Sequence, residues 1–222
     1  MSGTTPPVAV ALLGAESTGK TALAQALAHA LRGAGQRVAL VSEALRDWCE
    51  SQGRPPRAGE QRGIAEEQAR RVDAVQDADI VIADTTPLMT AVYSDHLFQD
   101  RSLYPFALQH QRRYAATLLT GLDLPWLADG VRDGPHTRGE IDGLVRAALG
   151  HPALAGLDWR VVYGQGDHRL ASALAALGPI AANAAPMLAP AITASWRCLN
   201  CDDAGCEHRL FTRLKQPGGS TY

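Results

Sequence analysis

The octapeptide "GAESTGKT", Gly14 to Thr21, fits the spacing G-x-x-x-x-G-K-[ST] at every fixed position. It constrains the fold more than any other stretch, because such a loop works only between a strand that leads in and a helix that leaves. Glycines let the backbone curl tightly enough to aim several N–H groups at one anion. The helix that follows adds unpaired amides and the positive end of its dipole. In this arrangement Lys20 reaches the outer phosphates as a point charge, and the Thr21 hydroxyl helps hold Mg²⁺. The phosphate-binding set is therefore Gly14, Ala15, Glu16, Ser17, Thr18, Gly19, Lys20, Thr21 and Ala22.

The surrounding pattern has the required order. Val8, Val10, Leu12 and Leu13 form a short β-like run before Gly14, and Leu23, Leu27 and Leu31 recur at helical spacing after it. The cation usage adds a second argument: of 21 Lys and Arg residues, only Lys20 and Lys215 are lysines. A chain that writes nearly every cation as Arg has kept a compact ammonium where a planar guanidinium would crowd the cradle.

Apolar runs then alternate with helical patterns from residue 8 to about 178. The strand-like runs are "VAVALL", "RVALV" at Arg37 to Val41, "DIVIAD" at Asp79 to Asp84, "AATLLT" at Ala115 to Thr120 and "WRVVY" at Trp159 to Tyr163. Alternation of this kind argues for a parallel sheet, here of about five strands, with helices on both faces. Thr137 with Glu140 fits a capping box, and Asp167 is placed to cap "HRLASALAAL". The expected fold is thus α/β, a P-loop NTPase spanning 1–178. A second region, 179–222, is an Ala/Pro-rich linker followed by a small Cys/His-containing extension.

The bulk numbers exclude several function classes. With 222 residues, one sizeable α/β domain and a small appendage fit, but not two full domains. A formal charge of −2 supplies no field to attract nucleic acid or an anionic membrane. No stretch of about eighteen apolar residues occurs, and "MSGTTPP" lacks the basic and apolar regions of a secretory signal, so a cytoplasmic location is expected. Cys49, in a helical pattern, reads most simply as a buried small apolar residue.

Three further groups carry chemistry beyond the cradle. Asp84 ends an apolar strand, where a second Mg²⁺ anchor belongs, although a strand-terminating turn residue would look the same. Arg132 and Arg138 in "DGVRDGPHTRGE" sit on a Gly- and Pro-containing stretch that reads as a lid over a transferred phosphoryl group, or as solvated surface charge. An acceptor hydroxyl needs a carboxylate, and Glu43 and Asp84 both stand at carboxyl ends of strands, where open α/β sheets place ligands. Glu43 equally suits the first turn of a helix, and Arg46 is spaced to pair with it. Asp129 is a weaker candidate for capping or substrate contact.

At this point the chain resembles the ribosylnicotinamide kinase domain of NadR-type proteins and the wider NadR-like P-loop ATP-binding proteins. The resemblance runs through "GAESTGKTALAQALA", "SEALRDWCESQGRPP", "IAEEQARR", "IVIADTTPLMT", "LDLPWLADGVRDGPHTR" and "GQGDHRLASAL". Its most specific part is "PWLADGVRD", since the loop alone is shared by many unrelated enzymes. It implies ATP at Gly14 to Thr21, metal support from Thr21 and Asp84, lid work by Arg132 and Arg138, and Gln165 near the adenine. It implies as acceptor the 5′-hydroxyl of a nucleoside such as nicotinamide riboside. Two departures stand out. Only a short polar leader precedes Val8, so adenylyl transfer is not implied, and the run Asp84-Thr85-Thr86 lacks the second acid that the family often carries.

"CLNCDDAGCEH" places Cys198, Cys201, Cys206 and His208 together, three thiolates and an imidazole, the right number and type for tetrahedral structural Zn²⁺. The Cys206-x-His208 spacing is tighter than common zinc spacings. A redox-active C-x-x-C, or a site with Asp202, Asp203 or Glu207 as a ligand, reads the same residues differently.

Two function classes follow. One is an ATP- and Mg²⁺-dependent kinase acting on a small-molecule acceptor: Lys20 and the lid arginines hold the phosphates, and Glu43 or Asp84 orients the hydroxyl. The other is a regulatory ATPase whose zinc knob contacts a protein partner. A third reading, a nucleic-acid module built on the Cys cluster, has little support, because the tail mixes Arg with acids and lacks a basic stripe.

Overall fold

The computed structural model describes residues 6–126 and 135–182. Within them each expected apolar run becomes a strand: β1 (Val8–Leu13), β2 (Val38–Val41), β3 (Ile80–Asp84), β4 (Ala116–Thr120) and β5 (Trp159–Val162). All pair in parallel, in the order β2-β3-β1-β4-β5. The central strands β3 and β4 are buried along their whole length, which is why they read as unbroken apolar runs. The edge strands β2 and β5 are only partly buried.

Seven α-helices flank the sheet among the described residues: α1 (Lys20–Gly33), α2 (Ala44–Gln52), α3 (Gln61–Asp73), α4 (Pro87–Phe98), α5 (Tyr104–Gln111), α6 (Pro135–Leu149) and α7 (Gly166–Leu177). The pleat sends alternate residues of β1 to opposite faces. On one face, Leu13 and Leu119 join Leu88, Val92, Ile141 and Val145 of α4 and α6, and Ala11, Val81 and Ala83 pack with Val72 of α3. Against the sheet's other side α1 packs on β1 and β3, α7 packs on β4 and β5, and the two helices touch. Helix α4 is buried from Pro87 through Asp95 because α3, α5 and α6 all lie against it.

Two helix starts differ from the sequence expectation. Helix α6 begins at Pro135, so Thr137 lies inside its first turn rather than capping it. Proline suits that first position, since its missing N–H would be unbonded anyway and its φ is already helical. Gln165 occupies the N-cap position of α7 without a side-chain cap bond, and Asp167 lies in the first turn, where a carboxylate is favoured by the dipole instead. Cys49 is partly exposed on α2 rather than buried. No described helix is long and apolar enough to cross a membrane.

Candidate functional site

The loop Gly14 to Thr21 leaves the carboxyl end of β1, between β3 and β4. This is where the winding of the sheet reverses and where open α/β sheets bind ligands. Its first glycine is sterically required. Gly14 has φ +149°, and a Cβ there would come within 2.1 Å of Thr120 Oγ1. Ser17 (φ +51°) and Gly19 (φ +74°) adopt left-handed conformations on either side of Thr18, the kind of backbone alternation from which anion-binding nests are built. Gly19 then serves as the N-cap of α1 without any side chain, leaving the first helical amides open to an anion.

Hydrogen bonds fix the loop from behind. The Thr18 hydroxyl and Lys20 Nζ both donate to the Ala15 carbonyl, at 2.7 and 2.8 Å. The Thr120 hydroxyl, at the end of β4, lies 2.7 Å from Thr18 Oγ1 and 3.1 Å from the Leu13 carbonyl. Thr120 was not legible as a site residue in the sequence, since it ends a strand like any other polar residue.

Strand β3 brings Asp84 to the mouth of the loop. The Thr21 hydroxyl donates to Asp84 Oδ2 at 2.6 Å. Asp84 is 4% exposed, and its other oxygen, Oδ1, is buried with no partner among the described residues. Burial pushes the Asp84 carboxyl above the usual aspartate range and nearby Glu43 adds to the rise, whereas the Thr21 hydroxyl, Lys20 and Arg46 oppose it. A carboxylate oxygen left open beside a hydroxyl is the hard-oxygen donor set that suits Mg²⁺. Among the described residues no group of three or more His, Cys, Asp or Glu could hold a metal. The next residue, Thr85, is β-branched at φ +77°, a strained conformation held by burial and by its N–H bond to Leu12.

Glu43 occupies the N-cap position of α2, one residue before the first turn, yet its side chain does not cap the helix. The amide of Ala44 is bonded instead by Gln68 Oε1 of α3, at 2.7 Å. The buried Glu43 carboxylate is thereby left to pair with Arg46, at 3.2 Å. Ala44, the residue after Glu43, also lines a cleft of about 630 Å³ between α2 and α3. The Trp48 ring and Ile64 supply apolar wall, and Asp47, Glu60 and Glu67 supply carboxylates. Hydrogen bonds from Arg70 and Arg71 hold Glu67 well below the usual glutamate range, at about 2. Arg71 also bonds Asp47, which ties α2 to α3.

The remaining expected residues divide. Arg138 lies on helix α6 rather than on a loop. It is buried, its Nη1 donates to the Leu124 carbonyl at 2.9 Å, and its Nε and Nη2 have no partner among the described residues. Gln165 is exposed at the start of α7, after β5. Thr86, at the place of the family's second acid, is 1% exposed and caps α4. Its hydroxyl also donates to Gln111 Oε1 at 2.7 Å, and Gln111 bonds Thr117 in turn, so it is committed to an internal network. Arg132 and Asp129, together with most of the expected lid, lie outside the described residues, as do Cys198, Cys201, Cys206, His208 and most of 179–222.

Sequence reasoning also missed Arg169, which is buried and bonded to the loop itself. A signal was present: Arg169, Ala173 and Leu177 follow one another at four-residue spacing, which puts a charge on an apolar stripe.

Known proteins match this picture at two levels. A family profile described as "AAA domain" matches residues 9–165. Among solved structures, one titled "Crystal structure of NadR protein in complex with NR" superposes with a TM-score of 0.63 at 19% identity, covering 79% of this chain and 51% of that one. A second, of NadR protein in complex with NAD and AMP-PNP, gives 0.62 at 20% identity, covering 79% and 49%. The chain spans about half the length of these two proteins. No curated protein sequence matches. The profile covers well over half of the chain, from the first strand through the loop after the fifth, and so this chain belongs to the AAA domain family, with a P-loop fold like that of NadR.

Proposed function

We propose that the chain is an ATP-dependent kinase that transfers the γ-phosphoryl group to the hydroxyl of a small molecule, a nucleoside such as nicotinamide riboside. One observation carries the reading most. The Thr21 hydroxyl and the Asp84 carboxylate meet at 2.6 Å beside the loop that holds Lys20, and Asp84 keeps one buried oxygen open. Thr21 and Asp84 would hold Mg²⁺, which when bound neutralises charge on the β- and γ-phosphates. The likeness to NadR structures with NR or with NAD and AMP-PNP supports nucleotide and nucleoside as ligand classes.

The residues divide the work by position. The loop amides and Lys20 hold the triphosphate, and Arg138 with Arg132 covers the transferred group. The acceptor oxygen forms a bond to the γ-phosphorus as the bond from γ-phosphorus to the β,γ-bridging oxygen breaks, and ADP leaves with that electron pair. The acceptor's proton passes to a carboxylate. Asp84 is occupied by Thr21 on one side and is the metal anchor on the other, which favours Glu43 as the orienting group.

Incubation with Mg-ATP and a panel of nucleosides, nicotinamide riboside included, tests the reading. ADP release that depends on a nucleoside supports it. Slow release that is independent of every acceptor would replace it with the regulatory ATPase.

A further inference from the structure

Arg169 is 4% exposed and its guanidinium joins three separate pieces of chain. Nη2 donates to the Thr18 carbonyl in the phosphate loop at 2.8 Å. Nη1 donates to the Gly164 carbonyl after β5 at 2.8 Å and lies 3.2 Å from Asp123 Oδ1 after β4. Asp123 Oδ2 in turn accepts the Gly164 N–H at 2.7 Å. A planar fork with several donors suits this geometry, whereas a lysine ammonium would have to reach the same acceptors from one point.

The bond to Thr18 has a consequence for anion binding. In a trans peptide the C=O and the N–H point to opposite sides, and the described chain contains no cis peptide. Holding the Thr18 carbonyl toward Arg169 therefore turns the Gly19 N–H away from Arg169. The Ala15 carbonyl is fixed in a comparable way by Thr18 and Lys20, but from within the loop. Arg169 acts on the Thr18–Gly19 peptide from 151 residues away, on α7.

We propose that Arg169 is a positioning residue that pre-orients the Gly19 amide for phosphate and, through Asp123 and Gly164, makes the loop's phosphate affinity depend on the turns after β4 and β5. Arg169 touches no reacting atom. Its contribution is to remove the reorganisation that a freely rotating peptide would require on binding. The proposal rests on the polyphosphate-binding part of the function proposed above and not on the identity of any acceptor.

The test is calorimetric titration of the full chain with inorganic tripolyphosphate and, separately, with ATP, both with Mg²⁺. Thermal melts establish that each variant is folded at the titration temperature. Arg169→Met is expected to weaken tripolyphosphate binding at least tenfold, with Arg169→Lys in between. Asp123→Asn, which leaves the Thr18 bond in place, should weaken it less than Arg169→Met does. An unchanged Kd in folded Arg169→Met or Arg169→Lys, whatever the loss in Tm, overturns the proposal, since a purely structural arginine would give that result. Arg169→Lys carries the test if Arg169→Met does not fold. Wild-type protein that binds neither ligand removes the nucleotide reading and this proposal with it.

Discussion

The Thr21 hydroxyl donates to Asp84 Oδ2 at 2.6 Å across 63 residues of sequence, and Asp84 Oδ1 beside it stays buried without a partner among the described residues. A half-satisfied buried carboxylate is costly unless something else completes it. Burial raises the Asp84 pKa, so the contribution of this group to stability is greatest at low pH and is lost as pH rises through the folded value. Burial therefore makes ionisation of Asp84 a liability in the ligand-free protein. Asp84→Asn is expected to raise the thermal midpoint at pH 7 without nucleotide while lowering Mg-ATP turnover by about 10²-fold or more. A variant that is both less stable and fully active would contradict this account of Asp84.

Gly14 leaves no room for a side chain. A Cβ would lie 2.1 Å from Thr120 Oγ1 and 3.0 Å from Thr18 Oγ1, at a φ that L-residues rarely adopt. Gly14→Ala should cost about 2–4 kcal/mol in urea unfolding. Thr120→Ala in the same chain should restore part of that loss by removing the nearest clash, so a double-mutant cycle without coupling would show that the contact is not the cause.

Much of this arrangement could be read in advance, and the exceptions share a cause. Strand positions were legible because β3 and β4, and β1 from Val10 onward, are buried on both faces and leave unbroken apolar runs. The loop was legible because its glycines and Lys20 stand at fixed spacing. What escaped were partnerships that depend on the third dimension. Thr120 behind the loop, Gln68 capping α2 in place of Glu43, and Arg169 reaching Thr18 each join residues far apart in sequence. Thr86 is the clearest case. It reads as a missing acid, yet its hydroxyl caps α4 and bonds Gln111 in the interior.

Thr86→Ala accordingly removes a helix cap and leaves the buried Gln111 amide short of a partner. The expected cost is about 1–3 kcal/mol of stability. The acceptor's KM should be unchanged, because the side chain faces the interior; a large rise in KM with normal stability would place Thr86 in the acceptor site instead.

His110 is buried on α5, facing Asp73 of α3, with Arg113, Tyr114 and Phe106 beside it. Burial lowers its pKa, Arg113 adds to the fall, and Asp73 opposes it. The unfolded chain then takes up a proton near pH 6.5 that the folded chain refuses. Stability is full above that pH and is lost as pH falls through the folded value. Chemical denaturation between pH 8 and 5 should reveal this loss in wild type and a flatter profile in His110→Gln. Equal slopes would assign the pH dependence to other groups.

The central claim is that Gly14 to Thr21 holds the phosphates of ATP for transfer to an acceptor, with Lys20 as the charge that reaches them. Acceptor-dependent ADP release by wild type and by Lys20→Ala, measured side by side with Mg-ATP and the nucleoside panel, tests it most directly. The account predicts release that a nucleoside stimulates in wild type and that falls by about 10²–10³-fold or more in the variant. Near-normal turnover in folded Lys20→Ala would contradict it.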